Sequence, residues 1–204
     1  MIDLWDHETN AREVYRQAAM DPADPPGPHD LAEALMGRGW LCYLPRLASG
    51  WGFYSPVGDR ERIYLRRGLT PMREAWTIYH ELAERHLYPC RDVDGKETAC
   101  DQLAACLRAP REAFRALVAD VGLDLLQLAD AVICSQTSAA LRYGETTGMP
   151  LVVVSPGDVR VRGDEWGWPD EHELRRLARG RSVPSNVRRI EIDDARGRAV
   201  LVAA

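Results

Sequence analysis

His80, Glu81 and Glu84 stand in the run Thr77-Ile-Tyr-His-Glu-Leu-Ala-Glu-Arg-His86. On an α-helix, four residues advance the direction by only about 40° beyond a full turn, so His80 and Glu84 project from one face, a turn apart. Glu81 lies about 100° round from His80, near enough to reach a water held on that face. Two side chains at i and i+4 that bind a metal, with a glutamate to handle protons, are the parts of a zinc-hydrolase helix. The usual spelling is H-E-x-x-H; here Glu84 takes the second ligand position.

A catalytic zinc needs three protein ligands and an open position for water. Glu97 is placed to supply the third, provided the helix that carries it packs antiparallel to the first. Asp101, one turn on from Glu97, is either an alternative ligand or an acceptor that orients His80. Glu81 is then the general base that deprotonates the metal-bound water and afterwards protonates the leaving amine. The plainer reading is a solvated charged face, but Ile78, Leu82 and Leu87 give the helix a buried side. His86 lies about 120° off the His80 face and reads as a solvated histidine at the helix end. Cys90 and Cys100 do not share that face and read as inert thiols.

The elements that must hold these residues follow from period and punctuation. Residues 6–20 have helical spacing, and the next eight, Asp21 to Pro28, include five Pro or Gly that stop the helix. A second short helix over 29–36 ends at Gly37. Trp40-Leu-Cys-Tyr-Leu44, Trp51-Gly-Phe-Tyr54 and Arg62-Ile-Tyr-Leu65 read as a small antiparallel sheet. Thr70 as cap and Pro71 at the first helical position open the helix of His80, which runs to about His86. Helices follow over 97–107 and 111–121, then a pair over 125–143 joined at Cys134–Ser135. Beyond Gly148 come strands at 151–154, 159–161, 189–192 and 199–202, a polar helix over 170–179, and a hairpin signal at Asp194-Ala-Arg-Gly197.

Composition narrows the classes. A formal charge of −5 argues against a surface that coats nucleic acid. No stretch approaches the ~18 apolar residues of a membrane span. The acidic N-terminus lacks a secretion signal, and five scattered cysteines read as reduced thiols of a cytoplasmic protein. After Gly148, ten arginines face nine acidic residues, so no polyanion site follows. Trp166-Gly-Trp-Pro169 reads as packed on the strands.

With these residues in view, the chain resembles the ImmA/IrrE-type metallopeptidases. The resemblance is carried by Trp76-Thr-Ile-Tyr-His-Glu-Leu-Ala83 and by Glu97-Thr-Ala-Cys-Asp-Gln-Leu-Ala-Ala-Cys-Leu-Arg-Ala-Pro110. The Gly-rich strands upstream and the helical pair Leu128-Ala-Asp-Ala-Val-Ile-Cys-Ser-Gln-Thr-Ser-Ala-Ala-Leu-Arg142 are also similar, so that it covers residues 31–145. It implies a cytoplasmic zinc endopeptidase that cleaves a helix-turn-helix repressor and so releases phage, mobile-element or stress genes. It makes His80 and Glu97 metal ligands and Glu81 the general base, with Glu84 in the place of the second histidine. Two glutamate ligands beside Glu81 form a more anionic site, which weakens zinc as a Lewis acid and favours a harder ion such as Mn²⁺.

The expected fold is α+β: a mainly helical zincin-like metallopeptidase core with a small antiparallel sheet and a β-rich C-terminal extension. The expected domains are 1–148, which includes the helical pair 125–143, and 149–204. The expected function is a metal-dependent endopeptidase acting on a regulatory, repressor-like protein. Two alternatives stand beside it. One is a catalytically silent protein of the same fold, serving as sensor or binding module. The other is DNA reading by the pair 125–143, against which a single arginine on the second helix argues.

Overall fold

The computed structural model describes residues 3–48, 50–57, 60–90, 93–155, 158–162, 168–179, 185–193 and 198–203. The chain divides into two compact units, Met1–Ala113 and Phe114–Ala204. The architecture is α+β, as the alternation of helical and period-2 segments predicts.

In the first unit, α1 (His7–Gln17) and α2 (Pro28–Met36) precede a three-stranded sheet of β1 (Leu41–Leu44), β2 (Gly52–Val57) and β3 (Arg60–Arg66). Then come α3 (Pro71–His86), a short 3-10 turn (Tyr88–Cys90) and α4 (Lys96–Arg108). The punctuation works as its chemistry requires. The Asp6 carboxylate accepts the Thr9 N–H to cap α1. Pro28 and Pro71 sit in the first turns of α2 and α3, where a missing N–H costs nothing. The Thr70 hydroxyl caps α3 by accepting from the Arg73 N–H.

The sheet departs from expectation in one respect. Its order is β1-β3-β2; β2 and β3 pair antiparallel, but β1 runs parallel to β3, with Leu41 opposite Ile63. The small antiparallel sheet is therefore mixed. Strand sense is set by the connection, and β2 itself serves in the crossover between the two parallel neighbours. A short aromatic or β-branched run carries no record of that route.

The core of this unit joins Ile78 and Leu82 of α3 to Ile63 and Leu65 of β3, Val14 and Tyr15 of α1, and Leu103 and Leu107 of α4. The Tyr15 hydroxyl, fully buried, donates to the Leu107 carbonyl at 2.6 Å and pins α1 to the end of α4. Glu61 on β3 accepts from the Tyr54 hydroxyl at 2.6 Å and from Arg85 Nε at 2.9 Å. The β2–β3 hairpin is thereby tied to the last turn of α3. At the other end of β2 the approach is closer still: a Cβ on Gly52 would lie 2.6 Å from Thr77 Cγ2 and 2.8 Å from Leu65 Cδ2.

The second unit holds most of α5 (Arg111–Val121), then α6 (Leu125–Ala131), α7 (Gln136–Thr147) and a four-stranded sheet. Its strands are β4 (Leu151–Ser155), β5 (Asp158–Arg162), β6 (Val187–Asp193) and β7 (Arg198–Ala203), in the antiparallel order β5-β4-β7-β6. Asp124 caps α6 and Ser135 caps α7. The amphipathic α8 (Glu171–Arg179) lays Leu174, Leu177 and Ala178 on Val152, Val154 and Leu201. Leu151 and Val153 of β4 are buried as well, so that strand reads as a continuous apolar run. Trp168 packs against the α8 cluster, whereas Trp166 and the Asp194–Gly197 hairpin turn lie outside the described residues. No helix among the described residues is long and apolar enough to cross a membrane.

Replacing Gly52 by Ala forces a methyl against Thr77 and Leu65, and overpacking of this kind typically costs about 1–3 kcal/mol. Urea unfolding of Gly52→Ala is expected to show that loss as a lower midpoint. An unchanged midpoint would mean that β2 can shift away from α3 without penalty.

Candidate functional site

Packing of α3 beside α4 brings His80, Glu81 and Glu84 together with Glu97 and Asp101 around a pocket of about 370 Å³. The start of β2, from Gly50 to Gly52, forms part of its wall. Every residue singled out for chemistry in the sequence therefore lines one pocket.

His80 is anchored from α4. Its Nδ1 lies 2.9 Å from Asp101 Oδ1, and its Nε2 lies 3.6 Å from Glu97 Oε2. The hydrogen bond to Asp101 is the main reason the imidazole is held above its ordinary pKa, with Glu81 and Glu97 adding to the rise against burial. In the neutral ring, donation from Nδ1–H to Asp101 leaves the lone pair on Nε2, the nitrogen on the Glu97 side. Two ligands of one tetrahedral zinc, each about 2.0–2.1 Å from it, stand about 3.3 Å apart. The separation of His80 Nε2 and Glu97 Oε2 is close to that figure. Glu97 is 80% exposed, so its carboxylate has room to adjust.

Glu81 is nearly sealed, at 3% exposure, and its Oε2 has no hydrogen-bond partner. Burial pushes its carboxyl up to about 8; His80 pulls it down, the Glu84 carboxylate pushes it further up, and a backbone hydrogen bond from Tyr54 lowers it. Glu84 is engaged elsewhere: its Oε1 accepts from Lys96 Nζ at 2.8 Å. Among the described residues, no three His, Cys, Asp or Glu side chains are drawn together as a ready-made metal cage. The donor set thus matches an ion through His80 and Glu97, while Glu84 is held by Lys96.

The pocket is poorly furnished for covalent chemistry. The Thr77 hydroxyl, on its wall, donates to the Arg73 carbonyl at 2.8 Å and stays within the helix. Cys100 is fully buried, and burial pushes its thiol up to about 12, so it offers no thiolate near neutrality. What remains is a general acid or base at Glu81 and a donor pair at His80 and Glu97, which suits activation of water.

Lys96 is the participant that motif reading passes over. Its signal was its position, directly before Glu97 at the first residue of α4, in a turn where Gly95 adopts φ 82°. Trp51 is a second such residue. Half-exposed at the pocket wall, it lies under the guanidinium groups of Arg66 and Arg73, at 5.4 and 5.2 Å from the ring centre.

No family model and no curated protein sequence matches the chain. Its fold is similar to a solved structure of a Mycobacterium tuberculosis transcriptional regulator, with a TM-score of 0.58 at 15% identity over 80% of this chain. The chain spans 57% of the length of that regulator. At such identity the likeness is one of fold.

His86 requires a correction. It is not solvated at the helix end but buried, 7% exposed, with Nε2 3.4 Å from Asn10 Oδ1 on α1. Burial holds its pKa below the ordinary value, Glu13 opposing and Arg85 reinforcing the shift. As pH falls, the unfolded chain takes up this proton before the folded one, so the group withdraws stability on the acid side of about pH 6.5. In EDTA, the loss of unfolding free energy between pH 7.5 and pH 5.5 is expected to be smaller in His86→Gln than in the parent. The difference is bounded by about 1.4 kcal/mol per pH unit for one proton. Equal losses would remove His86 from the pH dependence.

Proposed function

We propose that the first unit carries a metal-dependent peptidase site of the ImmA/IrrE kind, acting on a regulatory, repressor-like protein. The observation that supports it best is the anchoring of His80 on Asp101, which aims Nε2 at Glu97 across a pocket containing the buried, unpartnered Oε2 of Glu81. His80 and Glu97 would hold the ion, zinc or a harder manganese, and Glu84 would complete the set. Such an ion supplies Lewis acidity to the scissile carbonyl and lowers the pKa of water.

The chain's own residues have separable tasks. Glu81 accepts a proton from the attacking water at its carboxylate and returns it to the amide nitrogen as the C–N bond breaks. In the metal-free pocket burial raises its carboxyl to about 8, the form that suits the return step, and a cation bound beside it would favour the carboxylate that the first step needs. Asp101 keeps the His80 ring in place and, in the neutral ring, takes the Nδ1 proton as its partner so that Nε2 is the nitrogen left to ligate. β2 is an edge strand, and an extended peptide laid along it would bring a backbone carbonyl to the pocket. None of the five cysteines is in a disulfide, in keeping with a cytoplasmic setting. A regulatory setting is supported by the fold shared with a transcriptional regulator.

The second reading is a silent member of the same fold that binds rather than cuts. The Lys96–Glu84 ion pair favours it, because a ligand held by a lysine is not free for metal. DNA reading by α6 and α7 has less support. Arg142, the arginine of α7, is buried at 5% exposure and lies 3.6 Å from the Glu145 carboxylate.

Protein purified without chelator is expected to carry or take up one divalent ion, to lose it in His80→Ala, and to keep it in Glu81→Gln. Cleavage of a helix-turn-helix repressor should fall about 10²–10⁴-fold in Glu81→Gln. Failure of elemental analysis and zinc titration to find a stoichiometric ion sinks the peptidase reading. A gain of both metal and cleavage in Glu84→His, from a parent with neither, establishes the silent one.

A further inference from the structure

Lys96 is more than a surface partner for Glu84. Its side chain is 11% exposed, Glu84 is 27% exposed, and the ammonium lies 2.8 Å from Glu84 Oε1. Glu84 shares its helix face with His80 and lines the same pocket as Glu97, so Lys96 holds a carboxylate on the side of the His80–Glu97 pair. Beside it, Glu81 is sealed with an oxygen that no donor meets.

Building on the peptidase-type site proposed above, we infer that Lys96 sets the metal affinity of this pocket by competing with the ion for Glu84. The physical basis is simple. An ammonium on Oε1 and a dication on either oxygen of the same carboxylate would stand within about 5 Å of each other and repel strongly. One must leave, and the lysine is the one on a flexible four-carbon stem. When metal is scarce, Lys96 neutralises a carboxylate that would otherwise sit half-buried beside Glu81. When metal is abundant, the ion takes Glu84, and the Lys96 side chain swings to solvent from its place at the start of α4. Affinity is thereby reduced by the work of parting the ion pair, and the site loads above a threshold concentration rather than permanently.

The experiment is a titration of the full chain with zinc and with manganese by calorimetry, beside thermal melts in EDTA. Lys96→Met keeps the stem and removes the charge; it is expected to bind zinc at least tenfold more tightly than the parent and to melt lower in EDTA. In an E84Q background the same change should leave affinity unmoved, because the two residues then have nothing to share. Lys96→Arg, whose planar fork grips a carboxylate by two N–H bonds, is expected to bind zinc more weakly than the parent. Parent and Lys96→Met binding with equal affinity overturns the inference and leaves the metal site standing. Absence of binding in every variant overturns both. Should Lys96→Met not fold even with zinc, an unchanged affinity in Lys96→Arg is enough to overturn the inference.

Discussion

Four carboxylates, those of Glu81, Glu84, Glu97 and Asp101, share one pocket with a single imidazole, and this concentration of negative charge is what the neighbouring structure answers. Two like charges about 4 Å apart repel by roughly 4 kcal/mol at the effective dielectric of a protein surface. Four cannot be left ionised and unanswered. The protein relieves each differently. Glu81 is buried until its carboxyl prefers the proton, Asp101 accepts from His80, and Glu84 rests on Lys96. Glu97 stays in solvent. The α3–α4 packing and the strand that closes the pocket make sense as the scaffold that holds these four solutions side by side.

Much of that scaffold is written locally. The Thr70-Pro71 start of α3, its stop at His86, and the break between α4 and α5 at Pro110 are local signals and fall where capping and proline chemistry place them. The convergence of His80 with Glu97 and Asp101 was legible from the i, i+4 spacing on two successive helices. Three things were not. The parallel pairing of β1 with β3 depends on a route through space, not on the residues of either strand. The burial of His86 depends on α1 arriving over the end of α3, from seventy-six residues away. The grip of Lys96 on Glu84 depends on how the 3-10 turn and Gly95 aim the first residue of α4, while a sequence shows only a lysine next to a glutamate.

The second unit is organised by different forces. Its sheet is stabilised by apolar residues on both faces of β4, with α8 covering one of them, and its many arginines are spent locally. Arg175 and Arg176 pair with Glu171 and Glu173 one turn earlier on α8, and Arg162 pairs with Glu145. Exposed pairs of this kind each contribute little to stability. Each sets a surface arginine beside an acid of its own unit.

At Gly52 a side chain is missing because α3 leaves no space for one, and the pocket wall there consists of bare main chain. Peptide N–H and C=O groups are the same whatever the sequence, so under the peptidase proposal a chain laid on that wall would be held by its own main chain. Just before Gly52 stands the indole of Trp51, with the guanidinium groups of Arg66 and Arg73 over its ring. Under that proposal, bare main chain and a large aromatic side chain would meet such a peptide at adjacent positions of a single strand end.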